Sequence, residues 1–371
     1  MVFWILAIIL ILSPVPGSGE VLAKSQVLTY NGSPSHTGVY DTEPLHKLKG
    51  LKWKYDTGAT IVSCPPLLYN GFLYFGDGNG YFHAVDIHTG KSKWKFNAGK
   101  TVAGPPTICD DITYWGCGAG FLYALDAKSG KELRRFQTDG CRENKDGSVC
   151  FPPLVHNGLL YFTSHDGNLY AIDIKSFQLR FKFKTDNSMC CSPSLSDDVI
   201  FFSNASGYVY AMDAGAHTIR WRFKAGKKVY HSPSVAYGIA YFCSHDHFIY
   251  AVDVSTGKEI WRFEADEKIS KEPAIHNGVV YFNTLYSHLY ALDAKRGKLK
   301  WDFKRNGKAY SKPAIAGDIV YFGSGDCHLY ALDASNGEIL WKFQTDDMVN
   351  YPSSYNRMVF FGSGGSVYAL E

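Results

Sequence analysis

The sequence predicts an all-β fold, a single eight-bladed β-propeller whose four-stranded antiparallel blades are closed into a ring by an N-terminal strand. Three observations predict it. An aspartate that ends a short apolar strand recurs at Asp86, Asp126, Asp173, Asp213, Asp253, Asp293 and Asp333, in steps of 40, 47, 40, 40, 40 and 40 residues. A fixed period of this size marks a repeat architecture. Each period holds four short strand-like runs separated by turn residues, and the two chain ends carry complementary fragments of one further unit.

The unit is displayed most clearly by His288–Trp301, HLYALDAKRGKLKW. At period two, Leu289 and Ala291 point one way and Tyr290 and Leu292 the other, as expected of a strand buried on both faces. Asp293 and Gly297 then bracket a tight turn, the aspartate by bonding the backbone ahead of it and the glycine by taking a positive φ. The returning strand carries Trp301, whose apolar surface is too large to be left in water. Upstream of each such hairpin, a proline, a short apolar run, a turn of the Asn-Gly type and a Tyr-Phe run supply the other two strands, as in Pro273–Phe282 and Pro313–Phe322. In chain order these strands are A (after the proline), B (Tyr-Phe), C (ending in the aspartate) and D (carrying the tryptophan). The D-strand tryptophans are Trp53, Trp94, Trp221, Trp261, Trp301 and Trp341, with Arg134 and Phe181 at the two exceptions.

Along the chain, Val2–Leu12 is an apolar run followed by Ser, Pro and Gly. It is too short for a membrane-crossing helix, which needs roughly 20 residues, and residues 1–19 read as a signal peptide. Residues 20–49 form a polar arm expected to lie outside the repeat. Residues 50–371 form the propeller, beginning with a lone D strand around Trp53 and ending with A, B and C strands at Tyr351–Tyr355, Met358–Gly362 and Ser366–Leu370. One blade shared between the two ends completes the ring and removes a dangling sheet edge.

Blades 2 to 4 depart from the pattern. Blade 2 has Arg134 for the tryptophan, blade 3 has Phe177 for the glycine and Phe181 for the tryptophan, and blade 4 has His217 for the glycine, so looser packing is expected there. The long step comes from an insertion flanked by Cys141 and Cys150, a plausible disulfide in an oxidising compartment, with Cys190 and Cys191 as other partners for Cys150.

Net charge is +3 with both signs interspersed, so nucleic acid is not an expected partner, and a secreted monomer without a membrane span is expected. No nucleophile elbow, phosphate loop, dinucleotide fingerprint or haem-attachment motif is present, and no catalytic residue is assigned. The D-to-A and B-to-C connections open on one face and differ from blade to blade, as a binding rim does. The candidates there are His231, Lys271, Glu272, Lys312, His165, His245 and Asp326. As a site they would hold a polar or anionic ligand by charge-assisted bonds, with Glu272 as a possible base paired to an acid such as Asp326 or Asp246; as plain surface they would be a solvated, mutually paired rim. The histidine spacing is too weak to assign a metal. Asn204-Ala205-Ser206 fits a glycosylation acceptor in a B–C loop.

The Ala-x-Asp-x-x-x-Gly-Lys-x-x-Trp pattern, as in Ala251–Trp261 and Ala84–Trp94, resembles the tryptophan-docking motif of pyrroloquinoline-quinone (PQQ) type repeats, and Tyr30–Val39 resembles the segment that precedes their first blade. The resemblance spans Tyr30 to Glu371 and implies an eight-bladed propeller. Members include quinone-dependent dehydrogenases, the propeller lipoprotein of bacterial outer-membrane assembly, and propellers with no assigned chemistry. The dehydrogenases carry a vicinal cysteine pair near the quinone, a resemblance that would give Cys190–Cys191 that role. They also carry long insertions that build a calcium site and a lid, whereas here the steps of 40 residues leave only short connections. The expectation is therefore a secreted, non-catalytic binding or scaffold propeller (periplasmic if bacterial) that needs no cofactor and engages a protein or glycan partner. The alternatives are a PQQ- and calcium-dependent alcohol or sugar dehydrogenase and a carbohydrate-active enzyme.

Overall fold

In each unit the C strand is largely buried while the D strand is largely exposed, at alternate positions in most blades, as at His288–Asp293 and Leu299–Lys304. C therefore sits inside each sheet and D at its outer edge. The structure is a computed structural model that describes residues 27–28, 33–59, 64–102, 104–142 (backbone only at 141–142), 147–231, 233–269, 271–286, 288–304, 307–308 and 311–371. The expected signal peptide lies outside these residues. Eight antiparallel sheets in A-B-C-D order form the ring, with one turn of helix at Asp139–Arg142 in the insertion.

The core lies between neighbouring sheets. Leu289, Ala291 and Trp301 of blade 6 pack on Ile315, Val320, Phe322, Tyr330 and Leu332 of blade 7, and each seam repeats the arrangement. Cross-strand partners on B and C stack as aromatic pairs, for example Phe282 on Tyr290 (5.3 Å) and Phe322 on Tyr330 (5.1 Å), and the D-strand Phe303 meets the latter pair from the side.

The turn residues act as the sequence suggests, and their purpose lies in the neighbouring blade. Asp253 Oδ1 accepts the backbone N–H groups of Ser255 and Thr256. Gly257 has φ +68°, and a Cβ there would sit 2.6 Å from the Trp221 ring of the preceding blade. Trp221 Nε1 donates to Val254 O at 2.7 Å. The same bond runs from Trp53 to Ile87, Trp94 to Ala127, Trp261 to Ala294 and Trp301 to Ala334. Glycine and tryptophan are thus one contact split between two repeats.

This pairing accounts for the irregular arc. Phe177 replaces the glycine where the preceding blade offers Arg134, and it stacks on Tyr114 with only 6% of its surface exposed. His217 replaces the glycine where the preceding blade offers Phe181, and the two rings stack at 4.4 Å and 10°. His217 Nε2 also lies 3.0 Å from the Tyr161 hydroxyl. The expected looser packing is corrected to a substituted packing: with no tryptophan to admit, a side chain fills the space.

Closure follows the complementary ends. Leu51–Asp56 pairs antiparallel with Ser366–Leu370, placing Trp53 opposite Ala369 and Tyr55 opposite Val367. Blade 8 lacks the aspartate turn, and Trp341 instead donates to Leu45 O at 2.7 Å.

That bond belongs to a larger departure from expectation, because the arm is knitted into the ring. Val27–Leu28 adds a fifth strand to blade 2 beside Thr107–Cys109. The carbonyls of Pro34, Ser35, Thr37 and Gly38 accept the N–H groups of Leu195, Val235, Ile275 and Ile315, the central A-strand residues of blades 4, 5, 6 and 7 in turn. Gly38 sits at φ +72°, where a Cβ would lie 2.8 Å from the Ala274 side chain. The innermost strands of half the ring are therefore satisfied by the arm.

Candidate functional site

Every full blade turns from B to C in four residues, as at Ser164–Gly167 between strands ending at Thr163 and beginning at Asn168. D-to-A connections are longer and run inward to the prolines that start each A strand. Side chains on these connections meet above the arm, at the centre of the ring.

Four candidates come together there. Glu272 and Lys312, each 2% exposed, are buried rather than solvated rim groups. His231 Nδ1 lies 3.2 Å from Glu272 Oε1, and the ring of Phe151 meets His231 edge-on at 6.0 Å. Lys271 Nζ donates to the hydroxyl of Tyr351, two blades along the ring, at 2.7 Å. The arm adds His36, 2% exposed, with Nε2 at 3.5 Å from Ser192 Oγ and its carbonyl accepting from Ser234 Oγ.

These groups set one another's charge. Burial works against ionising Glu272, yet His231, Lys312 and Lys271 outweigh it and hold the carboxyl well below the usual carboxylate range. Burial pushes the Lys312 amine down to about 7, with Glu272 opposing. Lys271 is raised: burial lowers it, but the Tyr351 phenol and Glu272 more than offset that. Burial takes His36 down to about 3. Glu272 Oε2, Asn283 Oδ1 and Asn350 Nδ2 have no hydrogen-bond partner among the described residues. Chemically, the cluster is a desolvated carboxylate held by cations. A carboxylate so stabilised is a poor general base.

The other candidates stand apart. Tyr330 donates to Asp326 Oδ2 at 2.8 Å, as Tyr250 does to Asp246 and Tyr170 to Asp166; these carboxylates pin B–C turns to their own C strands, so they are engaged structurally rather than poised beside Glu272. His245 meets Tyr230 edge-on at 4.8 Å, on the rim between blades 4 and 5. His165 lies in the third blade's B–C turn, its backbone N–H bonded to Ser148 O. Asn204 is fully buried, donating to Asp186 and accepting from the N–H groups of Ser206 and Tyr208. It is a turn bracket and not an open glycosylation acceptor. Cys191 is buried against Ser203 while Cys190 is half-buried, and the Cys141 side chain lies outside the described residues. Among the described residues no cluster of three His, Cys, Asp or Glu is arranged for a metal. The donor set at the centre offers one carboxylate between amines, which does not fit calcium's preference for six to eight oxygens. His36 escaped sequence reasoning because nothing in a polar arm signals that it threads a ring.

On the opposite face a cavity of about 650 Å³ lies between the arm and blades 1 and 8, lined by Tyr40, Pro65, Tyr69 and Tyr355 among others, away from the charged cluster.

The family model described as outer membrane protein assembly factor BamB matches residues 45–223, 180–258 and 245–371. Among solved structures, BamB from Moraxella catarrhalis is 17% identical with a TM-score of 0.74, covering 87% of this chain and 99% of that one. The quinohemoprotein alcohol dehydrogenase from Comamonas testosteroni is 16% identical with a TM-score of 0.76, covering 92% and 80%. A europium-containing methanol dehydrogenase is 13% identical with a TM-score of 0.79, covering 92% and 97%. At these identities the likeness is one of fold. A search of curated proteins finds no significant match.

Proposed function

We propose that this chain, which belongs to the PQQ-repeat propeller family described as outer membrane protein assembly factor BamB, is a secreted, non-catalytic binding propeller that engages a protein partner through its D–A and B–C loops. The observation that carries this reading is the use made of the ring centre. There this chain lays its own arm across the A strands of blades 4 to 7 and buries Glu272 with His231 and Lys312. The four-residue B–C turns build no wall above that floor. The family's description as an outer membrane protein assembly factor supports a protein partner. No helix among the described residues is long and apolar enough to cross a membrane.

Photoreactive side chains test this directly. Placed singly at Lys268 on the D–A face and at Asn356 on the opposite face, in protein expressed in its native compartment, they should give one discrete adduct from position 268 and none from 356. Adducts from 356 alone would move the binding face to the other side of the ring, and absence of adducts from both positions would remove the support for a binding role.

A further inference from the structure

Outside the central cluster, lysines recur at one repeat position. Lys228, Lys268 and Lys308 occupy equivalent places in the D–A loops of blades 4, 5 and 6, and all are exposed, as is Lys227 beside the first. Their backbones are fixed alike: His245 N bonds Lys228 O at 3.0 Å, Leu285 N bonds Lys268 O at 2.8 Å and Gly325 N bonds Lys308 O at 2.6 Å. The row is therefore presented by a rigid frame and not by floppy loops.

Two further facts point to a ligand. Lys227, Lys228, Lys268, His245, Tyr230 and Ser206 line a concave pocket of about 430 Å³ between blades 4 and 5. In addition, the nearby carboxylates are committed elsewhere. Asp246 accepts from Gly226 N and Tyr250, Glu267 accepts from Tyr286 N, and Asp266 holds Tyr290 and His288. Among the described residues, no ion pair takes up Lys227, Lys228, Lys268 or Lys308. Burial, with Lys268, His231 and Lys228, lowers the pKa of His245, in keeping with an unneutralised positive field. Tyrosines stand between the cations: Lys228 Nζ is 5.7 Å from the Tyr230 ring and Lys308 Nζ is 5.5 Å from that of Tyr286, which is 47% exposed.

We propose that this arc of blades 4 to 6 is the docking surface for an acidic polypeptide segment, laid extended along the rim with its carboxylates on the lysines and its apolar side chains on Tyr230 and Tyr286. An extended chain presents same-side residues about 6.5 to 7 Å apart, so one short segment offers a series of carboxylates to a row of cations. The rings of exposed Tyr286 and half-buried Tyr230 favour a polypeptide over a small inorganic anion, because they add apolar contact and a polar tip. This deepens the binding function proposed above and rests on it.

The test is fluorescence anisotropy with a labelled peptide of alternating Glu and Phe, titrated with the full mature protein at low ionic strength. Saturable binding is expected, weakened at least tenfold by raising salt to about 1 M, where screening falls to about 3 Å. The variant K227E/K228E/K268E should lose binding at least tenfold with an unchanged melting temperature, while K300E on the outer D strand of blade 6 should bind as wild type. Equal binding by the triple variant, or no binding by wild type, overturns the proposal. Displacement by inorganic phosphate or a sulfated oligosaccharide more readily than by unlabelled peptide overturns the commitment to a polypeptide. If a K227E/K228E/K308E variant still gives the adduct from a photoreactive group at 268, this inference fails while the binding function stands.

Discussion

A tryptophan and the turn glycine of the next repeat are, in space, one contact. Gly337 has φ +78°, and a Cβ there would lie 2.7 Å from the Trp301 ring. Gly337→Ala is therefore expected to lower stability by about 1–3 kcal/mol, since it adds backbone strain to overpacking. Urea unfolding should show a lower midpoint with an unchanged slope. The buried charges give a second prediction at this scale. His36 is held down to about 3 by burial, so the unfolded chain binds its proton first and stability falls as pH drops from about 6.5 toward 3, with a limiting slope of about 1.4 kcal/mol per pH unit. Glu272, held low, adds a loss in the same direction below the ordinary carboxylate range. His36→Gln should flatten the upper part of that acid limb and leave the lower part. Lys312, held down to about 7, is protonated first in the unfolded chain, and its contribution makes stability rise with pH between about 7 and 10.5. Lys312→Met should abolish that rise, and melting temperatures across the pH range check both variants.

At the scale of elements, the blades that break the pattern show what a single sequence reveals and what it hides. The four strands of each unit were legible because the strands alternate or are continuously apolar and the C–D turn of each of the seven full blades carries Asp, with Gly in five of them. That blades 3 and 4 would compensate was hidden, because the partner of each altered position lies one repeat away: Phe177 answers Arg134, and His217 answers Phe181. The signal was present, since both exceptions lose the tryptophan and the following glycine together. Phe181→Trp alone should destabilise by about 1–3 kcal/mol, because His217 fills the space a tryptophan needs. Combined with His217→Gly it should recover most of that loss, and a double-mutant cycle should show a favourable coupling of about 1 kcal/mol or more. Additive effects would mean that the two residues do not form a compensating pair.

The whole molecule is a ring whose two ends are sewn together and whose innermost strands are lined over half the circle by its own arm. Closure was legible from the complementary end fragments. The arm's path was not, because its bonds to blades 4 to 7 use backbone carbonyls, which carry no signature in the side chains. The same gap misplaced Glu272 and Lys312 as rim groups: loop position predicts exposure only where nothing crosses beneath or beside the loop. Removing residues through Tyr55 takes away the strand paired with Ser366–Leu370 together with the arm. The truncated protein should lose its cooperative melt and aggregate through the freed edge, to be read by circular dichroism and light scattering. The central proposal is that, with the arm laid along blades 4 to 7 and a charged cluster buried beside it, the protein binds at its rim and does not carry out quinone chemistry. Titrating the mature protein with PQQ and calcium, while following quinone absorbance and dye-linked oxidation of alcohols and sugars, tests it most directly. The account predicts no saturable binding and no turnover, and saturable quinone binding accompanied by oxidation of either substrate class would contradict it.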